Sequence, residues 1–171
     1  MNNIMIDLET MDTAPTAAIV SVGAVKFNNE TILDEFYAII DLQSCIDEGL
    51  TMSASTVQWW LNQSNRTDTF DDNKSDLLAP VLKAFANWIG PNAIVWGNGV
   101  DFDNVILRNA YNACGLPLPW LYYNNMCYRT VKNLAPNIKI TRYGNHHNAL
   151  DDARDQARHL INLASHLGIQ L

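Results

Sequence analysis

Polar and apolar positions divide this chain of 171 residues into a strand-like opening and a largely helical remainder. Residues 3–8, Asn-Ile-Met-Ile-Asp-Leu, read as a strand. Residues 17–27 are β-branched and almost wholly apolar, the pattern of a second, buried strand. Asn28-Asn29-Glu30 supplies turn chemistry, and the alternation from Ile32 to Ile40 predicts a third strand, completing an antiparallel meander. Helical periodicity then takes over. Ser53 to Gln63 carries Val57, Trp59, Trp60 and Leu61 on a short helix, and the polar run from Ser64 to Lys74 reads as a loop. Ser75 is a plausible N-cap for a helix over Asp76–Ile89, which Gly90-Pro91 stops. Pro80 should kink that helix or delay its start. Ala93 to Trp96 is a short apolar strand ending at Gly97-Asn98-Gly99. Helices are predicted over Asp103–Ala113, over Met126–Leu134 and over Asn148–Leu167, the last with Ala149, Ala153, Ala157, Leu160, Ile161 and Ala164 at helical spacing. Strands first, then strands alternating with helices, make a mixed α/β domain.

Composition narrows the class. Apolar residues are 48% of the chain and charged residues 17%, enough apolar material for one core and one domain over residues 1–171. No repeat, linker or low-complexity tract interrupts it. No apolar run reaches the roughly 18–20 residues that cross a bilayer, and Met1-Asn2-Asn3 lacks the charged, then apolar, pattern of a signal peptide. Cys45, Cys114 and Cys127 are widely spaced and form no CxxC pattern, which argues against a disulfide framework or structural zinc. The expectation is a reduced, soluble, cytoplasmic protein with no membrane partner. A net charge of −7 disfavours a broad nucleic-acid-coating surface. However, six of the eleven Lys and Arg residues (Arg129, Lys132, Lys139, Arg142, Arg154 and Arg158) fall between residues 129 and 158, so a local basic rim stays open.

Three acidic clusters carry the candidate chemistry. Asp7 and Glu9, two apart on the first strand, leave the same face. They read either as a solvated strand end or as oxygen ligands for a hard cation such as Mg²⁺ or Mn²⁺. Asp103 follows Phe102 at a strand-to-helix junction, where it could cap the helix or deliver a carboxylate to the sheet's C-terminal edge. Phe102 could stack on a base or fill the core. In His146-His147-Asn148-Ala149-Leu150-Asp151-Asp152, His147 lies on the entering loop and Asp152 on the first helical turns. Each cluster alone is ordinary.

Together and in this order, Asp7-Leu8-Glu9-Thr10, Phe102-Asp103 and His147-Asn148-Ala149-Leu150-Asp152 resemble the three motifs of the DEDDh 3′–5′ exonucleases, the DnaQ-like and RNase T-like group. The resemblance runs from residue 4 to about 165. Trp59-Trp60, Trp96-Gly97-Asn98-Gly99 and Arg129-Thr130 are further similar to a small subgroup found in phages, prophages and some bacteria. The resemblance implies a ribonuclease H-like fold, a five-stranded mixed sheet flanked by helices. It also implies two divalent cations, Mg²⁺ or Mn²⁺, roughly 3.5–4 Å apart as in two-metal nucleases. Asp7 would bridge them, Glu9 and Asp152 would complete one shell, and Asp103 would hold the second. His147 would be the general base, its ordinary pKa near 6.5 suiting that task. The implied reaction releases nucleoside 5′-monophosphates from the 3′ end of DNA or RNA, single-stranded or overhanging.

Substrate contacts are read more loosely. Thr10 and Met11 follow Glu9, where related enzymes meet the 3′-terminal nucleotide. Phe102 and Trp60 are stacking candidates, worth about 1–3 kcal/mol per base. Adjacent helical residues point about 100° apart, so one of Trp59 and Trp60 should pack inward and the other face out. Arg129 is a candidate phosphate contact, with Lys132, Lys139 and Arg142 behind it. His146 and Asp151 read as bystanders. Two competing functions are an oligonucleotide-specific phosphodiesterase and a catalytically inactive nucleic-acid-binding module. The latter would not need all five acidic and His positions. By analogy with small relatives, a homodimer is open.

Overall fold

The structure, a computed structural model, describes residues 2–63 and 69–171. The chain runs through β1 (Asn2–Thr10), β2 (Ile19–Phe27), β3 (Ile32–Ile40), α1 (Leu42–Asp47), α2 (Ala54–Leu61), β4 (Ser75–Asp76), α3 (Leu78–Ile89), β5 (Ala93–Gly97), α4 (Asp103–Ala113), β6 (Asn125–Cys127), α5 (Tyr128–Leu134) and α6 (Ala149–Leu167). The strands form one sheet in the order β4-β3-β2-β1-β5-β6. The β1–β2 and β2–β3 pairs are antiparallel, whereas β5 joins β1, β6 joins β5 and β4 joins β3 in parallel.

The sheet has six strands, against the expected five. Ser75-Asp76 forms β4, not the start of a helix, and Asn125–Cys127 forms β6 ahead of α5. Two- and three-residue strands leave no alternation to read; they exist because a longer neighbour offers them a ladder. The helix after β4 begins at Leu78 with Leu77 as its N-cap and no side-chain cap bond, so Ser75 does not cap it. Pro80 then falls in the first turn, where a missing N–H costs nothing. α1, capped by the Asp41 carboxylate, was not anticipated. Part of the loop predicted over Ser64–Lys74 lies outside the described residues. Its end is a 3₁₀ turn at Asp72–Lys74.

β1 separates two packing layers. Ile4, Ile6 and Leu8 join Val20, Val22 and Ala24 of β2 against Leu82 and Phe85 of α3 and Ile106 and Ala110 of α4. On the other face Met5, Val25 and Phe27 meet Ala153, Ala157, Leu160 and Leu163 of α6. Small residues let α6 lie close to the sheet. A Cβ added at Gly23 would stand 2.1 Å from the Ala149 carbonyl carbon, so only glycine admits the helix there. Gly23 pairs with Asp7 in the β1–β2 register. The approach of the α6 N-terminus at that point brings the last helix beside the acidic end of the first strand. Among the described residues, no helix is long and apolar enough to cross a membrane.

Candidate active site

Asp7 and Glu9 leave β1 on the α6 face, beyond the apolar contact made by Met5. Asp152 projects toward them from the first turn of α6. One oxygen from each of Asp7, Glu9 and Asp152 lies within 4.8 Å of the others. Gln156, one helical turn after Asp152, donates its amide to Asp7 Oδ1 at 2.7 Å. Its spacing from Asp152 put it on the same helix face, a signal the sequence held.

Asp103 enters from the opposite layer, at the start of α4. Its Oδ1 accepts the Leu8 backbone N–H at 3.2 Å, tying it to β1 between Asp7 and Glu9. Asn104 fixes that helix start, donating to the Val95 carbonyl at 3.1 Å and to Asn125 Oδ1 at 2.9 Å. Gly97 makes the approach possible, since a Cβ there would sit 2.3 Å from Asn104 Oδ1. The N-cap of α4 is Phe102, with no side-chain cap bond, so Asp101 does not cap the helix.

The segment before α6 is tied down by carboxylates. The backbone N–H of Tyr143 donates to Asp155 Oδ2 at 3.0 Å, that of Asn145 to Asp151 Oδ2 at 2.9 Å, and that of His147 to Asp152 Oδ2 at 2.9 Å. Asp151 therefore holds the loop, and Arg154 braces it at 2.8 Å; it is no bystander. His147 takes a left-handed backbone, φ 64°, unusual for a residue with a Cβ. Its ring stacks on His146, centroids 3.9 Å apart, and meets the edge of Trp59 at 4.8 Å. His146 Nδ1 lies 3.4 Å from Asp152 Oδ2, closer to the centre than its bystander reading implied. Arg142 pairs with Asp152 Oδ1, and Arg129 donates to the Asn98 carbonyl.

These side chains line a polar cleft of about 210 Å³, with Phe102, Asn98 and both arginines at its edge. A second, more apolar cleft of about 350 Å³ adjoins it through Leu8, Glu9 and Phe102, and is walled by Thr10, Thr13, Thr56, Trp59 and Trp60. Lys132 sits over the Tyr128 ring and Lys139 donates to the Pro136 carbonyl, so neither is brought to the cleft. Met11 is 5% exposed and belongs to the core. The tryptophan pair divides as the helical angle requires. Trp60 is 3% exposed, with its indole N–H on the Thr10 carbonyl at 3.0 Å, and Trp59 is 40% exposed. Trp60 thus backs the cleft wall, and Trp59 is the exposed ring of the pair.

Electrostatics mark the centre. Burial, then Asp103, Glu9 and Asp152 in turn, hold Asp7 well above the usual carboxylate range, against the Gln156 hydrogen bond. Burial, Asp152 and Asp103 push Glu9 to about 8. Burial lifts Asp103 to about 7, opposed by backbone N–H donors and by Arg129. His147 is lowered by burial and by His146, with Asp152 pulling the other way. Buried carboxylates that repel one another need positive charge to stay ionised. Their oxygens are hard donors, so the set fits Mg²⁺ or Mn²⁺.

The family model described as the 3′–5′ exoribonuclease Rv2179c-like domain matches residues 2–164. No curated protein matches the chain by sequence. Among solved structures, the nuclease domain of 3′hExo, a DEDDh family member bound to rAMP, is similar with a TM-score of 0.65 at 17% identity, over 96% of this chain and 92% of that one. Exonuclease X in complex with 5′ overhanging duplex DNA matches with a TM-score of 0.62 at 16% identity, over 97% and 93%. S. pombe Pop2p in its Mg²⁺- and Mn²⁺-bound form matches with a TM-score of 0.62 at 13% identity, over 96% and 83%. At these identities the likeness shows the fold, which is ribonuclease H-like.

Proposed function

This chain belongs to the 3′–5′ exoribonuclease Rv2179c-like domain family, and from that premise we propose that it removes nucleoside 5′-monophosphates one at a time from the 3′ end of single-stranded or overhanging RNA. The observation that carries the reading is the meeting of Asp7, Glu9 and Asp152, from the two ends of the chain, within 4.8 Å. Gln156 and Arg142 meet Asp7 and Asp152 but leave mutually repelling carboxylates together, and a purely structural use of that face would have replaced such costly groups.

Asp7, Glu9 and Asp152 would hold one divalent cation; Asp103, outside that trio but tied to β1, would hold a second with Asp7. Bound there, the cations acidify water and neutralise charge on the attacking and leaving oxygens. His147 accepts the proton of the attacking water. Its lowered pKa keeps the ring neutral, and hence a proton acceptor, near pH 7. Water attacks the last phosphodiester phosphorus and the P–O3′ bond breaks. The shortened chain keeps a 3′-OH, and the nucleoside 5′-monophosphate departs. Arg129 and Arg142, on the cleft edge, are placed to meet the phosphate. The terminal nucleoside fits the aromatic cleft beside Thr10, Phe102 and Trp59, with Trp60 behind them.

The family's description supports RNA over DNA. The small combined clefts favour a substrate gripped by its last nucleotides, which keeps short oligonucleotides in view. The test is incubation of 5′-labelled single-stranded RNA, single-stranded DNA, a 3′-overhang duplex and a dinucleotide with Mg²⁺ or Mn²⁺. Stepwise shortening of RNA, abolished by EDTA and restored by either cation, is expected. Undiminished cleavage in EDTA, or no cleavage of any substrate with either cation, overturns the reading.

A further inference from the structure

Trp59 links the aromatic cleft, which it lines, to His147, which lines the polar one. Its ring lines the aromatic cleft with Leu8, Thr10 and Phe102. The same ring packs edge-on against His147, centroids 4.8 Å apart and planes at 87°. Behind it, Trp60 packs edge-on at 4.9 Å and is itself immobilised by the Thr10 carbonyl and by Phe70, 5.1 Å away. Trp59 is therefore backed by a fixed ring and faces the candidate base.

Two further contacts of His147 act differently. The Asp152 hydrogen bond reaches its backbone N–H, not its imidazole. On the far side its ring stacks on His146, which is exposed. Trp59 joins the His147 side chain to a rigid element, α2, and a base seated in the aromatic cleft would press on the same indole. Base–aromatic stacking restricts that ring further.

We infer that Trp59 is a positioning residue that orients the His147 imidazole and does so more firmly when the terminal nucleoside is seated. The inference rests on the reading of His147 as the general base. Its consequence is that an end nucleotide which fills the cleft is cleaved faster, not merely bound more tightly. A Trp that only stacked would contribute uniform binding, and its loss would raise KM with kcat unchanged. A Trp that aligns the base lowers kcat at saturating substrate, because misplacing a catalytic group by about 1 Å can cost 10²-fold.

The experiment is a double-mutant cycle of Trp59 and His147 on the Mg²⁺-loaded protein, with kcat and KM measured separately. Trp59→Ala should lower kcat by about 10–10²-fold. Trp59→Phe, which restores a ring edge, should recover most of that loss. In a His147→Ala background, Trp59→Ala should cost no further kcat, since there is no imidazole left to orient. Thermal melts of the single variants check that the fold persists. A loss confined to KM, or fully additive kcat losses in the cycle, overturns the inference and leaves the exonuclease reading standing. If the unaltered protein cleaves nothing, or His147→Ala is as active as the unaltered protein, the reading fails and the inference with it.

Discussion

The active-site carboxylates on the sheet and those on the last helix are held by different physics. Asp7 and Glu9 owe their positions to the register of β1, and Asp103 to a helix start pinned on β1 by the Leu8 N–H and on β5 by Asn104. The register is a main-chain constraint, and the Asp103 and Asn104 bonds to the backbone are buried, shared with the core beneath them. Opposite lie Arg142, His146, His147 and Asp152, on or beside a loop whose N–H groups at 143, 145 and 147 each end on an aspartate of α6. One half is as stable as the sheet. The other depends on side chain-to-backbone bonds that are part-buried or exposed, each worth about 0.5–1.5 kcal/mol net and more where the acceptor is charged. The half that carries His147 is the more easily displaced one, as expected of loops on a rigid scaffold.

The comparison breaks most sharply at Asp103. Asp103→Asn should leave a folded, nearly inactive protein, measured by RNA cleavage beside a thermal melt. The amide can still accept the Leu8 N–H, and it removes a buried group whose ionisation the fold opposes. Its melting temperature at pH 8 should be no lower than that of the unaltered protein; a large drop would mean that the carboxylate is structural. The same logic fixes a pH dependence. Glu9 is raised from 4.5 to about 8, so its protonated form favours the folded state. That stabilisation is complete below about pH 4.5 and disappears as pH climbs to about 8. Melts in EDTA should therefore decline across that window, and Mn²⁺ should flatten the decline. A metal-free melting temperature that rises from pH 5 to pH 8 would contradict the electrostatics of the sheet half.

The loop half is broken by its base. His147→Ala should lower kcat by about 10²–10⁴-fold with Mn²⁺ binding, read by calorimetry, largely intact. His146→Ala should do less, although its ring stacks on His147 and its Nδ1 faces Asp152. Should His146→Ala be the more damaging, the two histidines exchange roles and the third motif shifts by one residue.

The same division explains what could be read from residue order alone. The long strands, α4 and α6 announce themselves by period, while Asp7, Glu9, Asp103, His147 and Asp152, ordinary cluster by cluster, stand out through the resemblance of three motifs in order along them. Those features are local, and local patterns survive translation into a string. The short strands β4 and β6 do not, because their pairing partners lie elsewhere in the chain. Nor does the choice between Trp59 and Trp60, which the Thr10 carbonyl makes from 50 residues away. Met11 looked like a substrate contact by position and is core, 5% exposed, with its backbone bonded to Ala18 and Ser53 just past the end of β1. Arg142, from the segment before α6, and Arg129, from the first turn of α5, reach the cleft, whereas Lys132 and Lys139, equal in charge, do not.

The smallest effect tests the sheet half from its edge. Asp101 lies two residues before Asp103, exposed, in the turn that leaves β5. An aspartate just ahead of a helix is a common N-cap, whose loss costs about 0.5–2 kcal/mol. The structure assigns the N-cap to Phe102, with no side-chain bond to the helix, and the start of α4 is fixed by Asn104. Asp101→Asn should accordingly change stability by less than about 0.5 kcal/mol, the ordinary range for a surface substitution, and leave kcat within experimental scatter. Paired melts and cleavage assays against Asp103→Asn measure both. A clear fall in melting temperature would show that Asp101 caps α4 after all. Lost cleavage with an unchanged melt would instead move the second-motif carboxylate from Asp103 to Asp101, and overturn the claim that buried bonds to the sheet fix this half of the site.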